Sequence, residues 1–255
     1  MRTSDHSSPL LNGPRRTMLG VWAHPDDEAY LSAGLMAELR RRGHRVVVVT
    51  ATLGEHGTSD PATWPPERLA RFRHAELRNS LAALDVDDLR LLGYEDGTCA
   101  AHDGTAAIAA VIADVQPDLI VTFGPDGITG HPDHRAVSRW TTDAWVATRP
   151  EAELWYPTYT ADFHRRWGPL NDRIGLWADQ PSLPWADGAD LVRSSCLLDD
   201  LLDRKIAALE AHGSQSRSLI ELIGPATYRE WVRVESFRSA VRPPTRRLAQ
   251  ASSEA

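Results

Sequence analysis

The sequence has few cysteines. The two it holds, Cys99 and Cys196, stand far apart. They form neither a disulfide framework nor a zinc-knuckle spacing, and they point to a reducing, cytoplasmic setting. No apolar run reaches the roughly 18 residues that a membrane span requires, so no transmembrane segment is expected. Residues 1–16, MRTSDHSSPLLNGPRR, lack the long apolar stretch of a signal peptide and read as a loose leader. Residues 242–255 read as a loose tail. Positive charge is also in deficit: the formal net charge is −7 with neutral histidines. Nucleic acid is therefore excluded as the main partner, because neutralising phosphates takes clustered Lys and Arg. The arginines that do cluster, Arg40, Arg41, Arg42 and Arg45, fall at a predicted helix end, where cations suit the dipole.

What is present is strand–helix alternation over 255 residues, a length that suits one α/β domain with a sizeable core. The domain is expected over residues 17–241. TMLGVWA (17–23) is an apolar run, followed by a predicted helix over 29–42 that stops at Gly43. HRVVVVTATLG (44–54) has the β-branched density of a buried parallel strand. Helical periodicity runs through Leu69, Phe72, Leu77, Leu81 and Leu84. Further strands are predicted over 88–94, 118–124 and 153–160, with helices over 104–115 and 132–148. This alternation implies a Rossmann-like, mostly parallel sheet with helices on both faces. Residues 162–190 are dense in Trp, Pro and Gly and read as an irregular excursion or lid. Residues 197–211 are again helical, and 228–238 close the chain with a helical turn and a strand.

Two segments carry the chemistry. WAHPDDEAYLSAG (22–34) follows the first strand, and GPDGITGHPDHRAV (124–137) follows the fourth. In each, a proline follows a histidine at a helix start, where its missing N–H costs nothing. In the doubly wound order 3-2-1-4-5, strands one and four are adjacent and flank the crevice where ligands bind. His24, Asp27 and His134 are therefore expected to converge. Two imidazoles and one carboxylate suit a catalytic metal site with a position left for water. A divalent cation would also offset the repulsion among the adjacent acids. Asp26 would stand close to the metal-bound water, which the cation brings to a pKa of about 7, and could take its proton. Asp133, between two histidines, could fix an imidazole tautomer. The remaining histidines, His6, His44, His56, His74, His102 and His164, read as surface or loop residues. Trp64, Trp167, Trp177 and Trp185 read as packing aromatics.

The same ligand types suit Fe(II) oxygenases, which the adjacent Asp26 base disfavours. A nucleotide-binding module without catalysis would call for G-x-G-x-x-G after the first strand, and that motif is missing. A metal-binding protein without turnover is the third alternative.

AHPDDE (23–28) together with GHPDH (130–134) resembles the LmbE-like, or N-acetylglucosaminylphosphatidylinositol de-N-acetylase, family of zinc deacetylases. TLGEHG (52–57), RFRHAEL (71–77), LGYEDG (92–97) and KIAALEAHGSQ (205–215) extend the likeness over residues 17–215. The resemblance implies hydrolysis of an N-acyl group, often acetyl on an amino sugar, with Zn²⁺ or Fe²⁺ as the ion. The expected partner is a small N-acyl amino sugar or glycoside, with homo-oligomerisation left open. Carried over by motif position, His24, Asp27 and His134 are the metal ligands and Asp26 is the general base. His131 assists as acid or oxyanion stabiliser. Arg73 and Asp96 match positions that touch sugar hydroxyls, although Arg73 could instead pair with Glu67 or Glu76 and Asp96 could be a turn residue. His212 could stand on the substrate side or cap a helix. Thr129, also expected beside the substrate, occupies the position where some members carry a tyrosine that helps to polarise the substrate carbonyl.

Overall fold

The computed structural model describes residues 14–149, 151–177, 186 and 190–240. The expected tail and most of the expected leader lie outside them, as do His6 and Trp185. Among the described residues seven strands form one sheet: β1 (Thr17–Trp22), β2 (Arg45–Thr50), β3 (Asp88–Leu91), β4 (Leu119–Thr122), β5 (Glu153–Pro157), β6 (Leu191–Cys196) and β7 (Val234–Ser239). Their order is β3-β2-β1-β4-β5-β7-β6. The first five are parallel, and the β5–β7 and β7–β6 pairs are antiparallel. The expected 3-2-1-4-5 order is present, extended by an antiparallel edge. Apolar runs such as LIVT in β4 are buried along their whole length, as a sheet covered on both faces requires.

The helices are α1 (Asp27–Arg41), α2 (Pro66–Ala83), α3 (Thr105–Val115), α4 (Pro132–Thr148), α5 (Ala161–Arg173), α6 (Asp199–Ala211), α7 (Gly213–Ile223) and α8 (Pro225–Trp231). Helix α1 opens with acids and closes with Arg40 and Arg41, in line with its dipole. Arg40, Arg41 and Arg42 stand at the end of α1 and Arg45 opens β2; Arg41 reaches Asp200, Arg42 reaches Glu38 and Arg45 reaches Asp88. Helix α1 is fixed to the late elements by the buried Lys205–Glu235 pair. Lys205 donates to the Tyr30 carbonyl, and Glu235 accepts from Gly34 and Leu35 N–H. Leu197 packs so closely here that a Cβ at Gly34 would meet it at 2.4 Å.

Part of the expected excursion is helix. Helix α5 forms despite Pro169, with Thr160 capping Phe163 N–H at 3.2 Å. Phe163 and Asn171 are buried, and Asn171 accepts from Trp231 Nε1 at 3.0 Å. Tertiary packing here outweighs a composition poor in helix formers. His44, expected at the surface or in a loop, lies in the connection between α1 and β2 but is buried, its Nδ1 accepting the Arg16 N–H.

Candidate active site

The C-terminal ends of β1 and β4 deliver the two motifs to adjacent positions. The path from Ala23 to Asp27 turns through Asp26, whose φ of 109° lies in the left-handed half of conformational space. Sheltered, over-determined strain of this kind occurs where a side chain must be aimed. Asp26 precedes α1, but its side chain does not cap the helix. On the other side, His131 does cap α4, its Nδ1 accepting Asp133 N–H at 3.2 Å.

Between these turns His24 Nδ1 lies 3.2 Å from His134 Nε2. The Asp27 carboxylate oxygens lie 3.6 Å from the first and 3.4 Å from the second. In a tetrahedral centre with bonds of about 2.0 Å, neighbouring donors are about 3.3 Å apart. The two nitrogens thus have the spacing of ligands around one ion, with a different Asp27 oxygen near each: Oδ2, which also accepts the His24 N–H at 2.8 Å, and Oδ1. A ring nitrogen of His131 also converges on those of His24 and His134. A second grouping, His24 with Asp96 and Asp133, lies at the opposite nitrogen of the His24 ring.

The outer nitrogens of both imidazoles are occupied. His24 Nε2 is 3.3 Å from Asp133 Oδ2 and 3.1 Å from Asp96 Oδ1. His134 Nδ1 is 3.0 Å from the Gly127 carbonyl and 3.3 Å from Thr129 Oγ1. The inner nitrogens, His24 Nδ1 and His134 Nε2, face each other, and a cation bound between them would take the place of the proton they otherwise share. Asp133, fully buried, also accepts from Gly97 N–H at 2.8 Å and Cys99 N–H at 3.0 Å.

The electrostatics are uneven. Burial works against a charged His24, yet Asp133, Asp96 and Asp27 outweigh it and raise its pKa to about 10. Burial and the neighbouring His24 and His131 charges hold His134 well below its ordinary value. Burial lifts Asp26 to about 6, against the pull of Arg73. Burial and the charge of His24 lower His131.

Of the residues expected beside the substrate, Arg73 and His212 are buried, and Asp96 and Thr129 are half-buried. Arg73 is 3% exposed, and donates to Gly54 O at 2.8 Å and Pro25 O at 2.5 Å, with Asp26 Oδ2 at 3.4 Å. Gly54 (φ 63°) is required there, since a Cβ would meet the guanidinium at 2.0 Å. Asp96 is spent on His24 and on His56 N–H. Thr129 backs the His134 ring. His212 has no exposed surface and pairs through Nε2 with Glu28 Oε1 at 2.7 Å. Glu28, the third acid of HPDDE, and Ser80 on α2 were not singled out from the sequence. Glu28 accepts from Ser80 Oγ at 2.9 Å and from Asp26 N–H at 3.0 Å. Its place in AHPDDE was the one available signal.

A doubly wound sheet with a histidine–aspartate cluster able to hold a metal ion at its switch point fits the class of metal-dependent hydrolases. Residues 19–145 match the GlcNAc-PI de-N-acetylase family, PIG-L. Over 248 residues the chain is 31% identical to the 1D-myo-inositol 2-acetamido-2-deoxy-alpha-D-glucopyranoside deacetylase of Mycobacterium sp. (strain JLS), covering 84% of this chain and 79% of that protein. The chain belongs to the PIG-L family and is an amide hydrolase of the deacetylase kind. Among solved structures it is similar to the N,N′-diacetylchitobiose deacetylase of Pyrococcus horikoshii, with 21% identity, TM-score 0.61, and 89% and 84% of the two chains covered. It is also similar to the 4-carboxy-2-hydroxymuconate hydratase of Pseudomonas putida KT2440, with 15% identity, TM-score 0.57, and coverage of 92% and 100%. At such identities the likeness shows the fold alone, and the hydratase illustrates that the fold also hosts other chemistry.

Proposed function

We propose that this chain removes an N-acetyl group from the amino sugar of a small glycoside, with His24, Asp27 and His134 holding a divalent cation and Asp26 acting as general base. The observation that carries this reading is the 3.2 Å approach of His24 Nδ1 to His134 Nε2, with an Asp27 oxygen near each and Asp26 adjacent in the same turn. Zinc suits two imidazoles and a carboxylate best, and Fe(II) suits the same set. A cation held there polarises the substrate carbonyl and makes water a better nucleophile.

The protein's own groups do the rest. Asp26 takes the proton of the attacking water. His131 Nδ1 is committed as acceptor of Asp133 N–H and its pKa is lowered, so the ring is neutral and its Nε2–H is the available donor. It stabilises the tetrahedral oxyanion as a hydrogen-bond donor. Asp26, now protonated, passes its proton to the departing amine, because an amide anion is a poor leaving group. Acetate and a free amino sugar result. Asp133 and Asp96 hold the His24 tautomer from behind.

The relatives named as deacetylases disfavour an oxygenase. The unpaired state of Cys99 and Cys196 supports a cytoplasmic setting, and no helix among the described residues is long and apolar enough to cross a membrane. The test is acetate release from a panel of N-acetyl amino sugars by the zinc-loaded enzyme, with oxygen uptake followed in parallel. Acetate without oxygen uptake is expected. Oxygen uptake, or no acetate from any N-acetyl amino sugar, contradicts the reading.

A further inference from the structure

One peptide unit in the site is held at both ends. It joins Pro25 to Asp26. Its carbonyl oxygen accepts from Arg73 Nη2 at 2.5 Å, and its N–H donates to Glu28 Oε2 at 3.0 Å. The orientation of this unit sets φ of Asp26, which stands at 109°. Rotating it towards an ordinary φ would break both bonds and swing the carboxylate away. Neither clamp is loose. Arg73 is anchored on Gly54 O, and Glu28 is completely buried, its other oxygen taken by Ser80 Oγ and His212 Nε2. His212 lies at the α6–α7 junction and has no exposed surface, so it cannot touch a substrate.

We infer that His212, acting through Glu28, is a positioning residue for the general base: together with Arg73 it fixes the Pro25–Asp26 peptide and so aims the Asp26 carboxylate. The inference rests on Asp26 being the base. It gives His212 and the third acid of HPDDE one shared task. A simple cross-link between helices would not require Glu28 to divide its oxygens between His212 and the Asp26 N–H. Charge balance alone would not require the paired Arg73 bond to the carbonyl of the same unit.

The test compares His212→Ala with His212→Gln, whose amide nitrogen falls where imidazole Nε2 was. For His212→Ala, kcat is expected to fall about 10- to 100-fold, the usual cost of a misplaced group, with KM within about twofold and metal content unchanged. His212→Gln should recover most of the loss. A raised KM with unchanged kcat would mean substrate contact and overturn the inference. So would a loss that tracks metal content or folded fraction and is not recovered by Gln, and so would no change. If His212→Ala does not fold, Ser80→Ala removes another bond to Glu28 and should lower kcat about threefold at constant KM, a constant kcat again counting against the clamp. Hydrogen exchange at the Asp26 amide gives a reading independent of turnover. It should be slow in the wild type and faster in His212→Ala, and equal rates would overturn the clamp. A wild type with no deacetylase activity would instead strike at the proposed function and leave the exchange result standing.

Discussion

His24 and His134 stand 110 positions apart in the chain, yet their ring nitrogens approach to 3.2 Å. The contact is made because β1 and β4 are parallel neighbours that end together, with Val21 opposite Thr122. Each imidazole then turns its outer nitrogen to a fixed acceptor and its inner nitrogen towards the other ring, where an ion would sit.

Removing either ring should therefore remove the ion. His24→Ala and His134→Ala are expected to bind less than a tenth of the wild-type zinc and to be inactive, whereas Asp26→Ala should keep the metal and lose two to four orders of magnitude in kcat, roughly the range for general acid–base catalysis. Elemental analysis beside acetate-release kinetics checks both.

Asp26 must be ionised to act. Burial raises it to about 6 in the metal-free site, and a bound cation would pull it down. Activity should thus fall on acidification with a midpoint at or below about 6. A pH profile of kcat/KM with single-proton dependence on the acid side is the expected result.

Asp133 supports two things at once. Asp133→Ala would free the His24 tautomer and leave Gly97 and Cys99 N–H without their acceptor. Losing the group behind a metal-ligating histidine typically costs 10- to 100-fold in affinity, and each orphaned buried N–H costs roughly 1–3 kcal/mol. Zinc titration and thermal melting should both register the change, unlike Asp26→Ala, for which only turnover should drop.

The Glu28–His212 pair should shape stability against pH from both sides. Burial opposes ionisation of Glu28, but His212 outweighs it and holds the carboxyl below its ordinary 4.5. Its contribution is present above that value and is lost as pH falls through the lowered one. Burial likewise opposes a charged His212, but Glu28 raises it above 6.5. That contribution is present below 6.5 and is lost as pH rises through the raised value. Both act together between 4.5 and 6.5. Thermal melting across pH should peak there, and the double variant Glu28→Gln with His212→Gln should flatten the peak.

The donors were legible in the sequence because HPDD and HPDH each follow an apolar strand, and because strands one and four meet in the commonest doubly wound order. The clamp behind them was not. His212 reaches Glu28 across 184 positions, and no local periodicity marks such a pairing. Arg73 could be seen as charged and helical, but not as buried against Pro25 and Gly54. Helix α5 was hidden by Gly168 and Pro169, since the contacts that stabilise it come from Trp231 and the buried Phe163. Helix α8 and strand β7 answer to the helical turn and strand expected over 228–238, whereas β6 was hidden by its mixed burial, whose pattern shows no clean alternation.

The central claim is that the turns after β1 and β4 share one cation in reach of Asp26. Anomalous diffraction from zinc-soaked crystals tests it most directly. The ion should lie about 2.0–2.2 Å from His24 Nδ1, His134 Nε2 and an Asp27 oxygen. An ion found instead between His24 Nε2, Asp96 and Asp133, or absent from both places, would contradict the account.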